Sequence, residues 1–302
     1  MNYVLLTEGT GQGTGERSNV SRLAAALVRD NDQRVCLETG CGTRFGTILM
    51  GRLVGADAVD ILLRQYEWLA QQGAARRPDA AIFVFGFSRG ALIARALCDL
   101  ICRCGIASDA YDARRVFKYH RANGYGEALA AFRREGRLTE PRRVRYLGLW
   151  DTVDSTVGLD GAALAVCPSN VAFARHAVAR DETRRFYTYL PLTADGGSDA
   201  RQDAVEELAF PGTHSDVGGT YADNHLIADV ALAWVANRAV SLGLRLKPGV
   251  VFREDIDLAD AKIHDPSFDA SNAWGRFDPI ARSLKNVREH ASCAKVKTGL
   301  LS

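Results

Sequence analysis

The sequence predicts an α/β chain built on a mostly parallel sheet with helices on both faces. Three observations carry this. Short β-rich runs alternate with longer helical patterns along most of the 302 residues, as in strands joined by helical crossovers. One junction, Gly86-Phe87-Ser88-Arg89-Gly90, has the form of a strand turning tightly into a helix. Two later strand-like runs each end just before a polar residue with chemical use, Asp151 and His214.

Taken in chain order, Val4-Leu5-Leu6 reads as a first strand and Val20 to Val28 as a helix, with Ser18 or Asn19 as its N-cap. Arg34-Val35-Cys36-Leu37 reads as a second strand. Ala56 to Gln71 carries Ile61, Leu62, Tyr66 and Leu69 at helical spacing. Ala81 to Phe85 is an apolar strand followed, after the glycine-flanked turn, by the alanine-rich helix beginning at Ala91. Val144 to Trp150 and Glu207 to Phe210 are further strands, and Ile227 to Ala239 is a long apolar helix. Residues 105–141 interrupt the rhythm and read as a helical insertion. No linker, repeat or low-complexity stretch divides the chain, so residues 1–302 are expected to form one domain.

Composition excludes several classes. At 47% hydrophobic and 25% charged residues the chain is ordinary for a globular protein. A net charge of +2 gives no footprint for nucleic acid. No run approaches the ~20 apolar residues of a membrane span, and the N-terminus lacks the basic and apolar regions of a signal peptide. The seven cysteines are odd in number and scattered, which points to a reducing, cytoplasmic setting in the producing cell. Cys98, Cys102 and Cys104 lack a Cys-x-x-Cys partner pair, so they read as buried thiols. Neither a metal nor a cofactor is expected.

Gly-x-Ser-x-Gly between a strand and a helix is the setting of a nucleophile elbow, in which the turn presents the serine hydroxyl at the carboxyl edge of a sheet. A serine hydroxyl is a weak nucleophile near neutral pH and needs a base, which in turn needs an orienting carboxylate. In this architecture the order is Ser, Asp or Glu, then His. Ser88, Asp151 and His214 follow that order at strand ends. Asp216 and His290 are the rival acid and base, although Asp216 lies awkwardly close in sequence to His214. The oxyanion hole would take one N–H from Arg89 and another from the loop after the first strand, at Gly9 or Thr10. The alternating glycines of that loop do not make a phosphate-binding signature. No Gly-Lys-Ser/Thr follows them, and Glu16 would oppose a phosphate.

Several segments together resemble a known family, the bacterial α/β-hydrolase domain of the type VI secretion lipase effectors. The likeness runs through Asn19-Val20-Ser21-Arg22-Leu23, Gly40-Cys41-Gly42-Thr43 and Phe85-Gly86-Phe87-Ser88-Arg89-Gly90-Ala91 with Ala94-Arg95. It continues through Trp150-Asp151-Thr152-Val153, His176-Ala177-Val178-Ala179 with Asp181-Glu182, and Phe210 to Gly219. The family usually opens with Asp-Gly-Thr where this chain has Glu8-Gly9-Thr10. The resemblance implies serine esterase or phospholipase chemistry at Ser88, Asp151 and His214. It also implies an ester or phospholipid substrate, contact with a membrane surface, export without a signal peptide, and an immunity or secretion partner. A function of another class on the same fold is a catalytically silent binding or scaffold module.

The insertion at 105–141 has two readings. Residues 109–145 hold ten Arg or Lys against five Asp or Glu, and Tyr111, Phe117, Tyr119 and Tyr125 lie among them. One reading is a basic lid over Ser88 that meets anionic or interfacial substrates. The other is a helical hairpin whose arginines pair with carboxylates elsewhere.

Overall fold

The computed structural model describes residues 1–9, 18–40, 54–121, 126–153, 159, 164, 166–184, 187–192, 204–265, 284 and 287–296. Seven strands appear among them: β1 (Asn2–Thr7), β2 (Gln33–Glu38), β3 (Ala81–Phe87), β4 (Val144–Trp150), β5 (Val171–Ala179), β6 (Val205–Phe210) and β7 (Arg288–Glu289). They form one sheet in the order β2-β1-β3-β4-β5-β6-β7, with every neighbouring pair parallel. Parallel pairing requires a crossover between neighbouring strands, and among the described residues helices fill the β1–β2, β2–β3, β3–β4 and β6–β7 intervals. The helices are α1 (Asn19–Ala26), α2 (Val54–Gln71), α3 (Arg89–Cys104), α4 (Ala110–Arg121), α5 (Gly126–Arg134), α6 (His214–Gly218) and α7 (Leu226–Ser241).

Side-chain alternation sorts the strands onto two cores. On β1 and β3, Tyr3, Leu5, Ile82 and Val84 point to one face, where they meet α2 and α3. Val4, Leu6, Phe83, Phe85 and Phe87 point to the other, against α1 and α7. Both faces are covered, so the central strands are apolar on both sides. α1 starts where Ser18 accepts the backbone N–H of Ser21 at 3.1 Å. It stops at Ala26, short of the expected Val28, because Leu27 bridges Leu246 and Val28 donates to the carbonyl of Arg245.

Two strands were not expected from the sequence. β5 carries Arg175 and His176 inside an alanine-rich run, and these polar side chains disguise a strand near the centre of the sheet. Each has a partner on β6: Arg175 with Glu206, and His176 with Glu207. β7 is only two residues long.

The insertion is a helical hairpin, but it lies at the wrong edge of the sheet for a lid. α3 leaves Ser88 at the carboxyl edge and runs 16 residues, about 24 Å at the rise of an α-helix, so residue 105 begins at the amino edge. There the hydroxyl of Tyr66 donates to the Gly105 carbonyl at 3.0 Å. Arg142, just beyond the hairpin, donates to the carbonyls of Ala74, Arg77, Pro78 and Ala80, immediately before β3. Several of the positive charges are internally occupied. Arg114 pairs with Glu67, Arg137 with Asp112, and Arg133 donates to the Cys104 carbonyl. Phe117 and Phe132 are buried and Tyr119 packs edge-on against Phe132, whereas Tyr111 is 69% exposed and Tyr125 lies outside the described residues. The lid reading is therefore corrected in favour of the packed hairpin. Among the described residues, no helix is long and apolar enough to cross a membrane.

Candidate active site

Ser88 sits between β3 and α3 with a φ of 59°, one of two described non-glycine residues in the left-handed region. Two glycines make the turn sterically feasible. A Cβ on Gly86 would lie 2.4 Å from the Gly90 carbonyl oxygen and 2.6 Å from Ala91 Cα. One on Gly90 would lie 2.4 Å from the Glu8 oxygen and 2.5 Å from that of Thr7. Strand and helix thus converge to backbone contact, and α3 lies against the end of β1. Gly86→Ala is expected to lower the melting temperature by on the order of 5–10 °C, since overpacking against backbone has no soft way out. Thermal unfolding of that variant measures it, and an unchanged transition would contradict the close approach.

His214 and Asp151 meet Ser88 from the ends of β6 and β4. The Ser88 hydroxyl lies 2.8 Å from His214 Nε2, and His214 Nδ1 lies 2.6 Å from Asp151 Oδ2. All three are almost wholly buried. Asp151 is the second described non-glycine residue at positive φ, 38°. Its other carboxylate oxygen accepts the Ala179 N–H at 2.9 Å, which fixes the side chain against β5. His214 opens α6, where Thr213 and Asp216 form a reciprocal capping box. Its ring lies against Phe87 at 4.6 Å and meets Tyr187 edge-on at 4.7 Å. With Asp151 ionised, the proton on Nδ1 faces Oδ2 and Nε2 is left to accept the serine proton. Such a file can deprotonate a hydroxyl and return the proton to a leaving group.

The expected oxyanion residues are placed unevenly. Arg89 is the first residue of α3, directly after Ser88. Gly9 follows β1 beside the elbow, and a Cβ there would fall 2.6 Å from the Phe87 ring and 3.4 Å from Ser88 Cβ. Thr10 lies outside the described residues. Glu8, which stands where the resembling family has Asp, is fully buried and accepts the Ser18 hydroxyl at 2.6 Å. Its carboxylate therefore ties the strand end to the cap of α1. Asn19 in turn donates to the carbonyls of Val217 and Ala228, linking α1 to the helix that carries His214.

The rival pair is not brought together. Asp216 accepts from the backbone N–H and hydroxyl of Thr213 and is paired with His264 at 2.5 Å. Burial pushes its carboxyl above the ordinary range, against these hydrogen bonds. His290 caps a short 3₁₀ turn and stacks on Phe210 at 4.4 Å. His264, the actual partner of Asp216, had no local signal in the sequence, since it lies 48 residues from that partner.

A second polar network lies behind Asp151 and was not read as such from the sequence. His176 is fully buried; its Nε2 accepts the Thr152 N–H at 3.0 Å, and its Nδ1 faces Glu207 at 2.7 Å. Glu207 also accepts the Leu192 N–H. Arg95 of α3, fully buried, donates to the carbonyls of Leu164, Leu190 and Pro191. Burial holds His176 below the usual histidine value, outweighing the pull of Glu207. Burial pushes Glu207 upward, but its hydrogen bonds with His176 and Tyr189 and the charge of Arg95 carry it below the usual carboxylate value.

Both shifts have the same sign for stability. The unfolded chain takes up a proton at His176 near the ordinary value of about 6.5, while the folded chain does so only at lower pH. Stability contributed there is lost as pH falls below that value, and the contribution of Glu207 is lost at still lower pH, as its depressed folded pKa is approached. Melting temperature is therefore expected to fall on acidification below about pH 6.5, and His176→Gln is expected to flatten that slope. A variant with the wild-type slope would remove His176 as the source.

Comparisons with known proteins bear on the family and the fold. The profile of the family described as "T6SS, Phospholipase effector Tle1-like, catalytic domain" matches residues 1–238. No curated protein matches the chain in sequence. Among solved structures, an uncharacterized protein from Pseudomonas aeruginosa superposes with a TM-score of 0.51 at 19% identity, over 82% of this chain and 46% of that one. The Tle1 effector bound to the VgrG spike of the type 6 secretion system gives 0.41 at 21% identity, over 74% of this chain and 51% of that one. The catalytic core of acetyl xylan esterase from Trichoderma reesei gives 0.33 at 10% identity, over 80% and 94%. The chain spans about half the length of each of the first two. The all-parallel sheet with helices on both faces, and the positive-φ turn from β3 into α3 at Ser88, are the α/β-hydrolase arrangement expected from the sequence.

Proposed function

Since this chain belongs to the Tle1-like phospholipase effector family of type VI secretion, through the catalytic domain matched over residues 1–238, we propose that it hydrolyses carboxylic esters with Ser88 as nucleophile, His214 as general base and Asp151 as orienting acid. The observation that carries this reading is the hydrogen-bonded file from Ser88 Oγ to His214 at 2.8 Å and on to Asp151 at 2.6 Å, set on a positive-φ elbow.

In the first step Ser88 Oγ attacks the ester carbonyl carbon while its proton passes to His214 Nε2. Asp151 stabilises the imidazolium without accepting its proton. The carbonyl oxygen becomes an oxyanion, for which the N–H of Arg89 and that of Gly9 or Thr10 are the proposed donors. Collapse of the tetrahedral species breaks the bond to the leaving alcohol, which takes the proton from His214, and leaves an acyl-serine. Water, deprotonated by the same histidine, then releases the carboxylic acid. Phospholipid is the proposed substrate class. The site lies at the carboxyl edge of the sheet, so a membrane surface would be met there, and not at the basic hairpin. Delivery through a secretion apparatus, with a carrier or immunity partner, belongs to the same proposal.

The test is labelling with a fluorophosphonate, followed by a substrate series from short p-nitrophenyl esters to intact phospholipids. Rapid modification at Ser88 with release of fatty acid is the expected result. An unlabelled, folded protein would make the chain a binding module on a hydrolase fold.

A further inference from the structure

We infer that Glu182 is a positioning residue for the base: a second carboxylate that holds His214 by its backbone while Asp151 holds the ring, with Arg184 as its counter-ion. This rests on the proposed role of His214. Glu182 lies just after β5, with a side chain closed to solvent. One carboxylate oxygen accepts the His214 N–H at 3.1 Å and Arg184 Nη2 at 2.8 Å. The other accepts the backbone N–H and Nε of Arg184 at 2.8 and 2.9 Å.

An isolated buried carboxylate would be too costly to ionise, but four donors satisfy this one. Burial pushes Glu182 upward, while the hydrogen bond and charge of Arg184, with a contribution from His214, bring it below the usual value, so it is an anion at working pH. The contact path then returns to the histidine. The Arg184 guanidinium lies 3.7 Å from the Tyr187 ring centre, and Tyr187 meets the His214 ring edge-on. The base is held at its main chain by Glu182 and at its ring by Tyr187 and Phe87.

The grip is also electrostatic. His214 becomes a cation when it takes the Ser88 proton, and a fixed anion at its own N–H favours that state. The charged and titratable groups around His214 come from several elements: Asp151 follows β4, Glu182, Arg184 and Tyr187 follow β5, and Ser88 caps α3. Asp216, two residues along α6 from His214, is itself paired with His264.

The experiment is the pH dependence of kcat/KM on a soluble ester for wild type, E182Q, R184K and R184Q, with thermal melts and fluorophosphonate labelling of each. E182Q is expected to move the acid limb down by roughly half to one pH unit, with KM little changed. R184K should keep the wild-type limb, and R184Q, which strips the opposing positive charge, should move it up. A purely structural ion pair would lower melting temperature and kcat and leave the limb in place, which overturns the inference. Should E182Q fail to fold, an unmoved limb in R184Q decides the matter the same way. Wild-type protein that is not labelled at Ser88 would instead sink the underlying reading of the site.

Discussion

Ser88→Ala is expected to fold like the wild type and to lose on the order of 10⁶-fold in kcat. The fold should survive because the Ser88 backbone N–H still donates to the Trp150 carbonyl, and alanine carries no more steric burden at positive φ than serine does. Activity should not survive, because the Ser88 hydroxyl is what His214 Nε2 faces at 2.8 Å. The oxyanion donors and binding contacts would remain, so a residue of catalysis over water is expected. Initial rates on a p-nitrophenyl ester, with circular dichroism as the folding check, give the answer. Turnover close to wild type would remove Ser88 as nucleophile.

A loss of similar size is expected for His214→Ala, and little change for His290→Ala. His214 lies between hydroxyl and carboxylate, whereas His290 stacks on Phe210 and donates its backbone N–H to the Ala209 carbonyl, at the far side of β6. The pH–rate profile of the wild type should show one essential base titrating in the histidine range. The reverse pattern between the two variants would transfer the role to His290.

Much of this site could be read from the chain because its local grammar is strict. A serine flanked by Gly86 and Gly90, between an apolar strand and an alanine-rich helix, leaves few backbone solutions. Asp151 and His214 were legible because each follows a recognisable strand. What escaped was whatever depends on partners distant in sequence. His176 and Glu207 find each other across adjacent strands, 31 residues apart, and Glu182 reaches the His214 backbone over 32. Their residue types alone look like surface charge. The hairpin was misjudged for a different reason. Its sequence position after the nucleophile helix suggested proximity to Ser88, but a helix of 16 residues carries the chain away from the serine to the opposite edge. Its net charge is a poor guide too, because Arg114, Arg133, Arg137 and Arg142 are held by neighbouring carboxylates and carbonyls. Thr10 stays an expectation, since it falls outside the described residues.

Each strand end is fastened to the next by one more backbone bond beyond the turn. Ser88 donates to Trp150, Asp151 to Ala177, and Arg180 to Phe210. The stair runs in one direction along the chain, so the ribosome delivers its steps in the order in which they stack. Nucleophile, acid and base emerge in turn, and the base comes last, just after β6, a strand that has nothing to dock on until β5 has joined β4. Non-local parallel pairing of this kind is slow to form. A nascent chain therefore carries Ser88 without its base while the 126 residues that separate it from His214 are made. On the proposed reading of the site, the Ser88–His214–Asp151 file is complete only after β6 has paired with β5.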